Sequence, residues 1–241
     1  MPFTAFISDL HLTPSRPTIT RIFLDFLRRD AREADALYIL GDLFEYWAGD
    51  DDLSDPLNAQ VAGALNELAH SGTPVYLMHG NRDFLLLDRF VHAASAQLIS
   101  DPTTVDLYGN PTLLMHGDTL CTDDARYQAF RARVRSPLWQ RVFLLQPLWL
   151  RRAEIERARR MSERAKHEKP AAIMDVTAAA VQQAFKACAC SRMIHGHTHR
   201  PARHVHQVDG RICERWVLAD WYEQGQYLRV TPERCESITL N

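Results

Sequence analysis

Phe3-Thr4-Ala5-Phe6-Ile7-Ser8-Asp9-Leu10-His11 is a short apolar run that stops at an acid and an imidazole two residues apart. Three later runs behave alike: Ala36 to Leu40 meets Gly41-Asp42, Val75 to Met78 meets Gly80-Asn81-Arg82-Asp83, and Thr112 to Met115 meets His116-Gly117-Asp118. Short apolar runs bounded by turn-forming residues read as buried strands. Between the first two, Ile22, Phe23, Phe26 and Leu27 recur at helical spacing, and a second helical stretch covers Pro56 to His70. Strand, helix, strand implies parallel pairing with helices on the faces of the sheet. In such sheets polar ligands gather beyond the carboxyl ends of the strands, which is where these clusters fall.

The C-terminal part reads differently. Arg192 to His195, Arg203 to Val208, Arg211 to Leu218 and Tyr227 to Val230 look like strands, with Asp209-Gly210 as a hairpin turn. A mixed, sandwich-like α/β arrangement fits this better than a purely parallel sheet. Between the halves the pattern is helical, interrupted at Pro137, Pro147 and Pro170. The expected organisation is one domain over residues 1–241, with about 123–186 as a helical insertion over the site.

Composition narrows the function. With 241 residues, 46% of them hydrophobic, the chain is long enough for one sizeable core. A net charge of −2 gives no reason to expect nucleic acid. The charge is uneven, however: residues 125–169 hold thirteen Lys or Arg against four Asp or Glu, so a basic segment sits on an acidic body. Five cysteines without CxxC spacing point to reduced, mostly buried thiols. No basic n-region opens the chain and no run of about 18 apolar residues occurs, so a cytoplasmic protein without an obligate protein partner is expected.

A fifth cluster, Gly196-His197-Thr198-His199, joins the four above. In an extended chain residues two apart point to one side, so Asp9 with His11, and His197 with His199, should each aim at one point. His, Asp and Asn supply mixed nitrogen and oxygen donors suited to Mn2+, Fe or Zn2+. A pair of such ions about 4 Å apart activates water and clamps a phosphoryl group. Taken singly, each Asp or His is an ordinary turn former or a satisfied polar group.

The ordered set DxH, GD, GN(H/R)D, GH and GHxH resembles the calcineurin-like metallophosphoesterases over Asp9 to His199. That resemblance implies a four-layer αββα sandwich and a dinuclear centre. One metal would take Asp9, His11 and His199, the other Asn81, His116 and His197, with Asp42 bridging. His195 falls outside the pattern and is read as structural; Asp83 and Asp118 are read as hydrogen-bonding residues that orient their neighbours.

Most relatives carry His at the position of Arg82. Arg cannot donate a proton at working pH, whereas a phosphate leaving group, with a second pKa near about 6, needs little protonation. Arg82 therefore suits a diphosphate, the alternative being a plain ion pair with Asp83 or a surface carboxylate. The runs Leu40 to Glu45, Gly80 to Phe84, His116 to Asp124 and His195 to Pro201 resemble, within that superfamily, the family that hydrolyses UDP-2,3-diacylglucosamine. The resemblance implies two Mn2+ ions, water attack at the α-phosphorus, a place in lipid A biosynthesis, and peripheral attachment to the cytoplasmic face of the inner membrane. It marks Asn81, Arg82 and His116 as catalytic, and Asn81, Arg82, Asp124, Ser162, Lys166, Lys169 and His197 as substrate contacts.

The insertion agrees with a lipid substrate and a membrane surface. Leu138, Trp139, Val142, Phe143, Leu145, Leu148, Trp149 and Leu150 form an apolar block flanked by arginines, as in helices that lie in a headgroup layer. The competing reading is a helical hairpin packed on the core with a solvated Arg face. For the whole chain the competitors are another dinuclear phosphodiesterase or phosphatase, and a metal-free interaction module.

Overall fold

The computed structural model describes residues 1–168 and 175–240, the side chains of 163–168 excepted. Its strands and helices, in chain order, are β1 (Thr4–Ile7), α1 (Pro17–Arg28), β2 (Ala36–Ile39), α2 (Pro56–His70), β3 (Val75–Met78), α3 (Asp88–Ala93), β4 (Gln97–Ile99), β5 (Thr103–Leu107) and β6 (Asn110–Met115). There follow α4 (Ala125–Val134), α5 (Pro137–Leu144), α6 (Leu148–Glu168), α7 (Ala178–Cys188), β7 (Arg192–His195), β8 (Ala202–Val208), β9 (Arg211–Val217), β10 (Gly225–Val230) and β11 (Cys235–Leu240).

Two mixed sheets result, ordered β11-β10-β1-β2-β3-β4 and β5-β6-β7-β9-β8. The alternation of side chains along each strand builds the layers. Ala5 and Ile7 of β1 and Leu37 and Ile39 of β2 join Phe23, Val61 and Leu65 in the core beneath α1 and α2. Phe6, Tyr38, Leu40, Leu114 and Ile194 point the other way and fill the space between the sheets. There Phe6, Tyr38 and Tyr76 stack with ring centroids 5.0 and 4.6 Å apart. On the far face of the second sheet, Leu113, Met115 and Met193 pack on Val181 and Phe185 of α7. The order of layers is helix, sheet, sheet, helix, the αββα sandwich.

Local chemistry explains the boundaries. Pro17 and Pro56 begin α1 and α2, where a missing N–H costs nothing, and Asp55 caps α2 by accepting from the Leu57 amide at 3.0 Å. Asp209 and Gly210 both have positive φ, 51° and 78°, as a two-residue hairpin requires. Pro137 starts α5 behind a Ser136 cap, and α6 begins just after Pro147. The expected break at Pro170 lies outside the described residues.

Of the helices between β6 and β7, α7 forms the outer layer on the second sheet, whereas α4 to α6 lean toward the loops that end β2 and β3. Arg135 donates to the Gly80 carbonyl at 2.7 Å, buried Arg151 reaches the Ala48 carbonyl and Asp51, and Arg152 reaches Asp52. Trp139 and Phe143 stack on each other and join the core. The arginines of this region are therefore only partly solvated: several turn inward as anchors. The apolar residues on the opposite side, Leu138, Val142, Leu145 and Trp149, are 56–85% exposed.

Candidate metal centre

β1, β2 and β3 run parallel in one sheet and β6 and β7 run parallel in the other. Their carboxyl ends meet, and the loops that leave them carry Asp9 and His11, Asp42, Asn81, His116, and His197 and His199. Convergence is not achieved by extended backbone, as the two-residue spacing led us to expect. Asp9, His11, Asp42, His197 and His199 all have positive φ, between 48° and 69°. Left-handed backbone at non-glycine residues is strained and collects at functional sites; here it bends the loops after β1, β2 and β7 inward. Gly80 permits the closest approach, since a Cβ there would lie 2.1 Å from Asp42 Oδ1.

Seven side chains face a common space. His11 Nε2 lies 3.4 Å from His199 Nε2, and His199 Nε2 lies 3.4 Å from Asp9 Oδ1. Asn81 Oδ1 is 3.0 Å from His116 Nε2 and 2.9 Å from His197 Nδ1. Asp42 stands between the two sets, with Oδ2 3.8 Å from His11 Nε2 and Oδ1 3.9 Å from His116 Nε2. Supporting bonds fix the donors: His116 Nδ1 meets the Leu40 carbonyl at 2.9 Å, and Asp9 Oδ2 accepts from Ser8 Oγ and the His197 amide at 2.6 and 2.8 Å.

The electrostatics call for a cation. Asp9 Oδ1 and His11 Nδ1 are buried without a hydrogen-bond partner among the described residues. Burial, with Asp83 and Asp9 nearby, pushes the Asp42 carboxyl up to about 7 against the pull of His116. His116 is carried up to about 9, burial notwithstanding, by Asp42, Asp9, Asp118 and Asp101. Ligand atoms of Asp9, His11 and His199, and of Asp9, Asp42 and His116, each lie within 4.8 Å of one another. Such a mixed nitrogen and oxygen donor set, dry and crowded with carboxylates, fits divalent transition metals.

The other singled-out residues fall as follows. His195 is buried and sits between the Gly196 carbonyl and Arg215, at 2.8 and 3.0 Å. Asp83 accepts from the amides of Gly80 and Leu43 at 2.8 and 2.7 Å, tying two ligand loops together. Asp118 accepts from Tyr127 Oη and Arg131 Nε, each at 2.6 Å. Arg82 does not pair with Asp83; its Nη1 stands 3.9 Å from Glu45. Asp124 caps α4 through the Tyr127 amide. Ser162 is exposed on α6, while Lys166 and Lys169 lie outside the described residues. Tyr127, close against His197, and Tyr222, stacked on His11 at 5.3 Å, were missed. Neither carries a signal in the sequence that separates it from a packing tyrosine.

The family model for calcineurin-like phosphoesterase matches residues 4–201. A protein of Aromatoleum aromaticum named UDP-2,3-diacylglucosamine hydrolase is 54% identical over 224 residues, 93% of this chain and 91% of that protein. One of the same name from Xanthomonas oryzae pv. oryzae is 52% identical over 235 residues, 94% of each. The solved structure of an archaeal phosphodiesterase covers 99% of both chains at 12% identity with a TM-score of 0.49.

Proposed function

Because this chain belongs to the calcineurin-like phosphoesterase family, and within it to the UDP-2,3-diacylglucosamine hydrolases, we propose that it hydrolyses the diphosphate of UDP-2,3-diacylglucosamine to UMP and 2,3-diacylglucosamine 1-phosphate. The chain is a metal-dependent hydrolase; the proposal concerns substrate, metal and place. Asp9, His11 and His199 would hold one Mn2+ ion and Asn81, His116 and His197 a second, with Asp42 shared between them. A bound pair supplies activation of water and neutralisation of charge on the phosphoryl group.

The chain's own residues do the rest. The Leu40 carbonyl orients the His116 ring, so that Nε2 faces the site. Asn81 Oδ1, between two imidazoles, would be the oxygen donor of the second ligand set. Arg82 carries the reading: a fixed charge beside the candidate ligands, where most relatives place a histidine that could protonate a leaving group. It stabilises charge on a diphosphate, whose leaving phosphate needs no proton from the protein. Asp124, Ser162, Lys166, Lys169 and His197 complete the substrate contacts in this proposal.

The exposed Leu138, Val142, Leu145 and Trp149, flanked by arginines, would meet acyl chains and the headgroup layer of the inner membrane at its cytoplasmic face. Among the described residues no helix is long and apolar enough to cross a membrane, and the contact proposed for this face is a peripheral one. The test is turnover of UDP-2,3-diacylglucosamine, UDP-glucose and p-nitrophenyl phosphate, with and without Mn2+. Mn2+-dependent cleavage of the first far above the others is expected, and preference for p-nitrophenyl phosphate would replace the proposal with a general phosphatase.

A further inference from the structure

Glu45 is nine-tenths buried three residues beyond Asp42, and arginines from three separate parts of the chain converge on it. Arg16, in the turn after β1, donates to Oε2 at 3.0 Å. Arg159 of α6 donates to Oε1 at 2.6 Å, and Arg82 stands 3.9 Å from the same oxygen. Two carboxylates, Glu45 and the more exposed Glu156 at 3.2 Å from Arg159 Nη1, face three guanidiniums, so the cluster keeps an excess positive charge that an arriving anion would offset.

Donors are left over for that anion. Arg16 Nη1 and Arg159 Nε are buried with no hydrogen-bond partner among the described residues, and a buried N–H without an acceptor is costly. Arg16 is also held stiffly: it donates to the His11 carbonyl, and its guanidinium lies 4.5 Å from the centre of the Tyr222 ring. The Glu45 amide in turn donates to the Leu12 carbonyl at 3.0 Å, so the carboxylate is fixed by the same strand ends that carry His11 and Asp42.

We propose that Arg16 is a further substrate-binding residue that, with Arg82, grips the diphosphate from the His11 side, and that Glu45 is a positioning residue holding the guanidiniums together before substrate arrives. The inference rests on the reading of the substrate as a diphosphate ester. Arg16 supplies a fixed fork of donors matched to phosphate oxygens, and without Glu45 the three like charges would spread apart.

The test is calorimetric titration of the Mn2+-loaded protein with imidodiphosphate, whose P–N–P bridge resists cleavage. Arg16→Gln should weaken binding by about tenfold, the size of one charge-assisted contact, with metal content and melting temperature near wild type. Glu45→Gln should weaken it similarly, yet cost much less in an Arg16→Gln background, because the carboxylate acts through the arginine. Unchanged affinity in Arg16→Gln overturns the substrate-binding role, a readout that stands even if Glu45→Gln fails to fold. An equal Glu45→Gln loss in both backgrounds overturns the positioning role. Since the probe contains neither nucleotide nor lipid, failure to turn over UDP-2,3-diacylglucosamine would count against that substrate and leave these binding results intact.

Discussion

Asp42 shows how much one side chain does here: its two oxygens face histidines from different sheets, His11 and His116, and its backbone is left-handed to put them there. Asp42→Ala should lose metal and at least about 10³-fold in rate while the fold largely persists; metal analysis beside turnover checks this, and near-normal activity would remove the bridging role. Arg82 makes a different prediction, since it contributes charge and no proton. Arg82→Ala should cost about 10² to 10³ in kcat, roughly 3 to 4 kcal/mol, with metal content kept. Arg82→His should recover little diphosphate activity but gain relative activity on alkyl phosphodiesters. The ratio of kcat/KM on the two substrate classes decides, and an unchanged ratio and rate in Arg82→Ala would make the residue a structural ion-pair partner of Glu45. At the opposite extreme, the Cys121 thiol is pushed up to about 12 by burial and by Asp118, Asp175 and Asp124. The sign is toward inertness: at pH 8 the thiolate fraction falls roughly 10³-fold below that of an ordinary thiol. Iodoacetamide at that pH should label the partly buried Cys188 and Cys235 before Cys121, and early labelling of Cys121 would contradict this.

At the level of elements, the helices between β6 and β7 divide their labour. α5 buries Trp139 and Phe143 and leaves Leu138, Val142 and Leu145 outside. Replacing Leu145, Leu148 and Trp149 with Ser should therefore weaken use of the diacylated substrate and spare slow hydrolysis of a soluble diphosphate; equal losses on both, in a folded protein, would exclude acyl-chain handling. Elements were legible where the burial pattern was strong. Pro56–His70 and Arg192–His195 match their expected bounds, because capping in the first and a run of buried residues in the second leave clear marks. β4, with three residues, and β11, an edge strand with no fully buried side chain, give no such mark and went unread. The loops that converge were legible by residue type and order, yet the left-handed backbone of three of them was not, since Asp and His at such φ carry no signature of their own. Nor could Arg16 and Arg159 be told from neighbouring surface arginines, because only tertiary contact brings them to Glu45.

For the whole molecule, the centre is a seam. Asp9, His11, Asp42 and Asn81 follow strands of one sheet, and His116, His197 and His199 follow strands of the other. An ion held by both would add its binding energy to the cohesion of the sandwich, about 2.7 kcal/mol at a hundred times its dissociation constant. Chelation should lower the melting temperature, and Mn2+ should restore it in wild type but not in Asp42→Ala; an equal melting temperature with and without chelator would show that the ligands do not share an ion across the seam. The central claim is that this seam directs water onto the nucleotide-bearing phosphorus of a lipid-linked diphosphate. Mass spectrometry of the products formed from UDP-2,3-diacylglucosamine and Mn2+ in oxygen-18 water tests it most directly. The account predicts one heavy oxygen in UMP and none in 2,3-diacylglucosamine 1-phosphate; intact substrate, or label in the lipid phosphate, would contradict it.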